Sequence, residues 1–175
     1  MIKQIVIFLL CAVVRASNEL QLISQQSITI ISLPEPNLPT TVCAFDRLGT
    51  TLVAGISTNF LRFVSWDGSA FGSKYSVTFT DASIGAAVFR QDGVWMAAAG
   101  SSNTLYLLKY DGSKYSTHHS LGASTAINCL TWAFNGERLL AGLNNGAVWV
   151  LAYNSTSDRF EESQMISTTH PTNQK

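Results

Sequence analysis

Charge is what this chain has least of. Lys, Arg, Asp and Glu make up 13% of its 175 residues, about half of the roughly 25% found in ordinary soluble domains. Eleven cations balance eleven anions, which leaves no basic stripe for tracking nucleic-acid phosphates. Cysteine occurs three times, at Cys11, Cys43 and Cys129, too few and too scattered for a disulfide framework or a thiolate metal cluster. No apolar run approaches the ~20 residues of a membrane span. There is no G-x-S-x-G elbow, phosphate loop or H-E-x-x-H pair, so no catalytic group, cofactor or metal is expected.

What is present is apolar: 46% of residues are hydrophobic. With many Ser, Thr, Gly and Asn between them, they suit a β-rich chain with short turns. The N-terminus "MIKQIVIFLLCAVVRASNE" has Lys3, then ten uncharged residues from Ile5 to Val14, then Val14 and Ala16 at −3 and −1 of a cut after Ala16. That is the layout of a secretory leader, and it places the chain in the secretory pathway. Its removal would leave a net charge of −2. A second reading takes residues 1–16 as the first strand of a degenerate repeat, buried on both faces; the chain would then be cytoplasmic.

The informative feature is repetition. "LRFVSWDGSAF" returns as "LYLLKYDGSKY" and again as "VWVLAYNSTSDRF". Trp66, Tyr110 and Tyr153 recur at steps of 44 and 43 residues, and so do Gly49, Gly93 and Gly136, and Phe45, Phe89 and Trp132. Landmarks moving in step mark a repeat architecture. Each copy holds three apolar strands and a polar fourth, joined by turns in which Gly or Asn supplies positive φ. A four-stranded sheet of this kind cannot bury both faces alone, and its polar strand belongs at a solvated outer edge.

The expected fold is therefore all-β, with β-propeller-type repeats of four-stranded antiparallel blades. Blades are read at 41–80, 84–121 and 127–165, with a partial blade and the Pro-rich connector "PEPNLP" over 17–40 and a polar tail at 166–175. Three to four blades make an incomplete propeller, whose open terminal sheets favour self-association or completion by a partner. Cys43 and Cys129 fall in the first strands of non-adjacent blades and are expected as buried free thiols rather than a bridge.

The run Phe45 to Leu52 and the Trp66-Asp67 strand ending resemble the WD-repeat family of propellers, with Tyr110-Asp111 and Tyr153-Asn154 as weaker copies. The resemblance implies a scaffold or adaptor for protein partners, without enzymatic activity. The family's His and Asp network is replaced by Thr80 and Ala123, and by Thr58, Ser102 and Asn145. Blade rigidity must then come from apolar packing. A sugar-binding lectin, a propeller hydrolase and a fragment of a larger propeller are the alternative readings, because fold does not fix function.

A binding face is expected on the second turns and the links between blades: Ser57, Thr58 and Asn59; Ser101, Ser102 and Asn103; Asn144 and Asn145; and Asp81. The bland reading, good turn residues, carries equal weight there. His118-His119 is read as a solvated pair pointing to opposite faces of an outer strand. Asn154-Ser155-Thr156 is a candidate glycosylation site.

Overall fold

The computed structural model describes residues 13–16, 19–22, 40–56, 59–67, 71–80 and 83–167. The chain divides into two units, Met1–Leu38 and Pro39–Lys175. In the first, β1 (Val13–Ala16) and β2 (Glu19–Leu22) form an antiparallel hairpin. The remaining residues of the leader reading, of the partial blade and of the proline connector lie outside the described residues, apart from Thr40.

The second unit is all-β among its described residues. Its strands are β3 (Thr40–Phe45), β4 (Thr51–Ile56), β5 (Phe60–Trp66), β6 (Phe71–Thr78), β7 (Ile84–Phe89), β8 (Trp95–Gly100), β9 (Thr104–Tyr110), β10 (Tyr115–Gly122), β11 (Ile127–Trp132), β12 (Arg138–Leu143), β13 (Val148–Asn154) and β14 (Arg159–Ile166). They form three four-stranded antiparallel sheets in strict sequence order, β3 to β6, β7 to β10 and β11 to β14. Every sheet is a meander, as short turns between apolar strands require. The polar fourth strands β6, β10 and β14 are edges, and the first strands β3, β7 and β11 lie next to one another. This is the propeller-type arrangement.

The repeat holds at the level of single hydrogen bonds. Gly49, Gly93 and Gly136 adopt φ of 68°, 71° and 70°, and their N–H groups donate to the carbonyls of Asp46, Arg90 and Ala133 at 3.1, 2.9 and 2.8 Å. Irregularities repeat too: the first strand of each sheet bulges at its start, and the fourth bulges opposite Phe63/Val64, Leu107/Leu108 or Val150/Leu151.

Alternation along the middle sheet explains the core. Trp95, Ala97, Ala99, Leu105 and Leu107 pack against Leu139, Ala141, Trp149, Leu151 and Phe160 of the third sheet. Their neighbours Met96, Ala98, Tyr106 and Leu108 pack against Val53, Leu61 and Phe63 of the first. Strand β8 is therefore buried throughout, and three consecutive alanines let both neighbours approach it. No polar or charged residue is buried among the described residues; the core is held by apolar area and backbone ladders.

The cysteine expectation needs correcting. Cys43 and Cys129 are free, but both are exposed. They sit on first strands, and β11 is far less covered than the middle strands of its sheet.

Candidate functional site

The antiparallel meanders place the second turns and the inter-blade links at one end of the sheets. Ser57, Thr58 and Asp81 lie outside the described residues. The others are occupied in shaping their own turns. The Asn59 amide donates to the Phe79 carbonyl at 3.1 Å, and Asn103 takes the left-handed φ of 60°. Its carbonyl accepts from Ala123 N–H at 2.7 Å, while Ser101 and Asn144 donate their backbone N–H to Ser83 and Ala126. Asn145 Oδ1 accepts from Ala147 N–H at 3.1 Å, and Asn144 Oδ1 accepts weakly from Asn128. Ser102 keeps a buried hydroxyl without a partner. In sequence register Gly146, not Asn145, matches Asn59 and Asn103, and it too has positive φ, at 82°. At Asn154, the side-chain amide donates to Glu161 and its oxygen accepts from Thr156 N–H, so the glycosylation triplet is folded into a closed turn.

The opposite end carries groups of another character. Two adjoining clefts of ≈370 and ≈350 Å³ open among the first turns of the sheets, both lined by Arg47, Arg90 and Gln91. The second is floored by Phe45, Phe89 and Trp132, the three strand-end aromatics that recur in register. The Trp132 indole N–H is satisfied by the Val88 carbonyl at 3.2 Å, so this floor presents apolar surface rather than free donors. At its rim Phe134 is 92% exposed, and Leu48, on the first turn of the first sheet, is 80% exposed.

Most polar groups around these clefts are already paired. Asp46 accepts from the N–H groups of Thr50 and Thr51 at 2.8 and 3.0 Å. Asn135 bonds Glu137 through side chain and backbone. Arg90, with 14% of its side chain exposed, donates from Nε to both Asp92 oxygens at 2.9 and 3.0 Å and lies over the rings of Tyr153 and Phe160. Burial opposes charge on Asp92, but the Arg90 and Val94 hydrogen bonds prevail and hold its carboxyl below the usual range. Among the described residues, Arg47 makes no hydrogen bond or ion pair. The arrangement can seat an apolar group beside one unsatisfied cation.

The histidine pair also departs from expectation. A strand bulge falls between Thr117 and His119, so the two rings do not point to opposite faces; both meet the edge of Trp95, at 5.1 and 6.1 Å. His118 Nε2 reaches the Asp158 carbonyl at 3.0 Å. The Asp158 carboxylate in turn accepts from the Lys109 ammonium and the Tyr153 hydroxyl. This is a clasp between the second and third sheets. Among the described residues, no three His, Cys, Asp or Glu side chains converge on a metal position.

Sequence reasoning passed over Arg47, Leu48 and Phe134. For Leu48 and Phe134 the signal was an apolar residue at a turn tip where polar residues are the rule.

No family model matches the chain, and no curated sequence is significantly similar to it. Solved structures share its fold. One, provisionally named a 6-phosphogluconolactonase, comes from Bacteroides uniformis; it matches 81% of this chain with a TM-score of 0.71 at 14% identity. Another, a functionally unknown protein from Desulfotomaculum acetoxidans, matches 79% with a TM-score of 0.68 at 14% identity. The chain spans 44% of the length of each.

Proposed function

We propose that this chain is a non-enzymatic interaction module, propeller-like in the manner of WD-repeat proteins, that holds a protein partner on the first-turn end of its sheets. The observation that carries this reading is the exposed Phe134 lining an arginine-lined cleft, with exposed Leu48 following the cleft residue Arg47 in the chain. Aromatic and arginine side chains dominate protein-binding hot spots, and a solvated Phe is worth about 2 kcal/mol once covered. The Ser and Asn residues of the second turns are themselves neither. The WD-like part of the reading rests on the 44- and 43-residue steps and on Trp66-Asp67. Secretion rests on the leader-like residues 1–16, and self-association is a further part of the proposal.

Selection of a displayed peptide library against the full chain tests this reading. Enriched peptides should bind the native protein and lose at least tenfold in affinity on Phe134→Ser, with Asn59→Ala, Asn103→Ala and Asn145→Ala leaving binding unchanged. Recovery of no binder, or binding indifferent to Phe134, would discredit this face.

A second reading, hydrolysis of a phosphorylated sugar lactone, is favoured by the name of the Bacteroides uniformis structure and by the two arginines at the clefts. A likeness at 14% identity supports only the fold. Turnover of 6-phosphogluconolactone by purified protein would establish that reading and displace the first.

A further inference from the structure

We infer that the segment held at the first-turn end presents a carboxylate beside a bulky apolar side chain, so that the partner is an acidic, aromatic-bearing stretch of protein. The inference rests on the reading of this end as a protein-binding face and goes on to specify what it selects.

The argument is one of subtraction. Around the clefts every carboxylate has local donors: Asp46 is taken by Thr50 and Thr51, Asp92 by Arg90 and Val94, and Glu137 by Asn135. Arg90 is neutralised by Asp92 and fixed by the rings of Tyr153 and Phe160. Arg47 remains. It lines both clefts and makes no hydrogen bond or ion pair among the described residues. Hydrogen bonds from neutral donors leave Asp46 and Glu137 charged, but neither lines the ≈350 Å³ cleft, whose lining holds Arg47 and Arg90 and no carboxylate. A group docking in that cleft meets Arg47 at short range, and a carboxylate is the complementary protein group; a guanidinium fork takes it through two parallel hydrogen bonds.

The apolar half follows from the floor and the rim. Phe45, Phe89 and Trp132 close the ≈350 Å³ cleft from below, with the one indole donor among them already used. Phe134 and Leu48 stand uncovered. One aromatic or branched aliphatic side chain in the cleft would cover the three floor rings and the adjoining Phe134 and exclude water from the Arg47 pairing, strengthening it. Neither half alone accounts for both the unpaired cation and the exposed Phe.

Three fluorescein-labelled peptides, measured by polarisation against the full chain, test this. They are Ser-Glu-Asp-Phe-Glu-Ser, Ser-Lys-Lys-Phe-Lys-Ser and Ser-Glu-Asp-Ser-Glu-Ser. The first should bind at least tenfold tighter than either of the others and weaken as salt rises from 50 to 500 mM. Arg47→Glu should reverse the preference towards the basic peptide; Arg47→Lys should retain it with reduced affinity. Equal binding of the two Phe peptides, lost on Phe134→Ser, would overturn the inference and leave the interaction module standing. Failure of all three peptides, alongside a display selection that does yield binders, would overturn it likewise. Binding of inorganic phosphate or 6-phosphogluconate that depends on Arg47 and displaces the acidic peptide would assign the cation to a small anion instead.

Discussion

Tyr75 and His119 hold one register position in successive sheets, opposite Phe63 and Leu107, and they perform one task with different chemistry. Each reaches from an outer strand to the backbone that opens the next sheet's outer strand. The Tyr75 hydroxyl accepts from Tyr115 N–H at 2.7 Å, and His119 Nε2 accepts from Phe160 N–H at 3.3 Å. Tyr75→Phe keeps the ring stack with Phe63 but strands the Tyr115 N–H, so it should lower stability by about 1–2 kcal/mol in urea unfolding. The histidine adds a pH dependence. Burial, with smaller repulsion from His118 and Arg159, outweighs the hydrogen bond that a protonated ring donates to the Phe160 carbonyl and the pull of Asp158, and depresses the His119 pKa below its ordinary 6.5. The unfolded chain then takes up this proton first as pH falls. The His119 contribution is complete above 6.5 and is lost as pH drops through the depressed folded-state value. His119→Gln, which keeps an acceptor, should flatten that acid-side loss in thermal melts between pH 7 and 5.

At the scale of elements, the turns were open to inspection in the sequence and the bulges were not. Glycine at 49, 93 and 136 announces a left-handed position wherever the period is recognised, because most other residues there are strained by about 1–2 kcal/mol. The surroundings then separate the three. A Cβ at Gly93 meets nothing within 4 Å, whereas one at Gly136 comes within 3.0–3.1 Å of the Arg90 stem. Gly93→Ala should therefore reduce stability by the backbone strain alone. Gly136→Ala should lose more, and it should also weaken whatever binds at the clefts by shifting Arg90; equal unfolding midpoints for the two variants would contradict this. The outer-strand bulges escape a reading by alternation, which presumes an unbroken ladder. That is why His118 and His119 were expected on opposite faces, yet both touch Trp95. Arg47 and Phe134 were missed for a related reason. Their meaning depends on which turns share an end of the sheets, and period alone does not say which of two ends carries function.

In the second unit, the middle sheet is the common member of both apolar clusters, one shared with the first sheet and the other with the third. Stability in such a stack is close to a sum of sheet terms and nearest-neighbour interfaces. Adjacent residues of β8 address different interfaces: Trp95 the third sheet, Met96 the first. Both are almost fully buried, and truncation of either to Ala should remove about 2–5 kcal/mol. The damage should fall on different parts of the molecule. Trp95→Ala also removes the ring that meets His118, His119 and Phe160, so amides of β11 to β14 should exchange with solvent faster while β3 to β6 stay protected. Met96→Ala should invert the pattern. Hydrogen exchange read strand by strand distinguishes this from a single cooperative block, in which either substitution would speed exchange everywhere alike. Separable interfaces are what a chain assembled from repeated sheets requires, since each added sheet is stabilised by the face of the one before it.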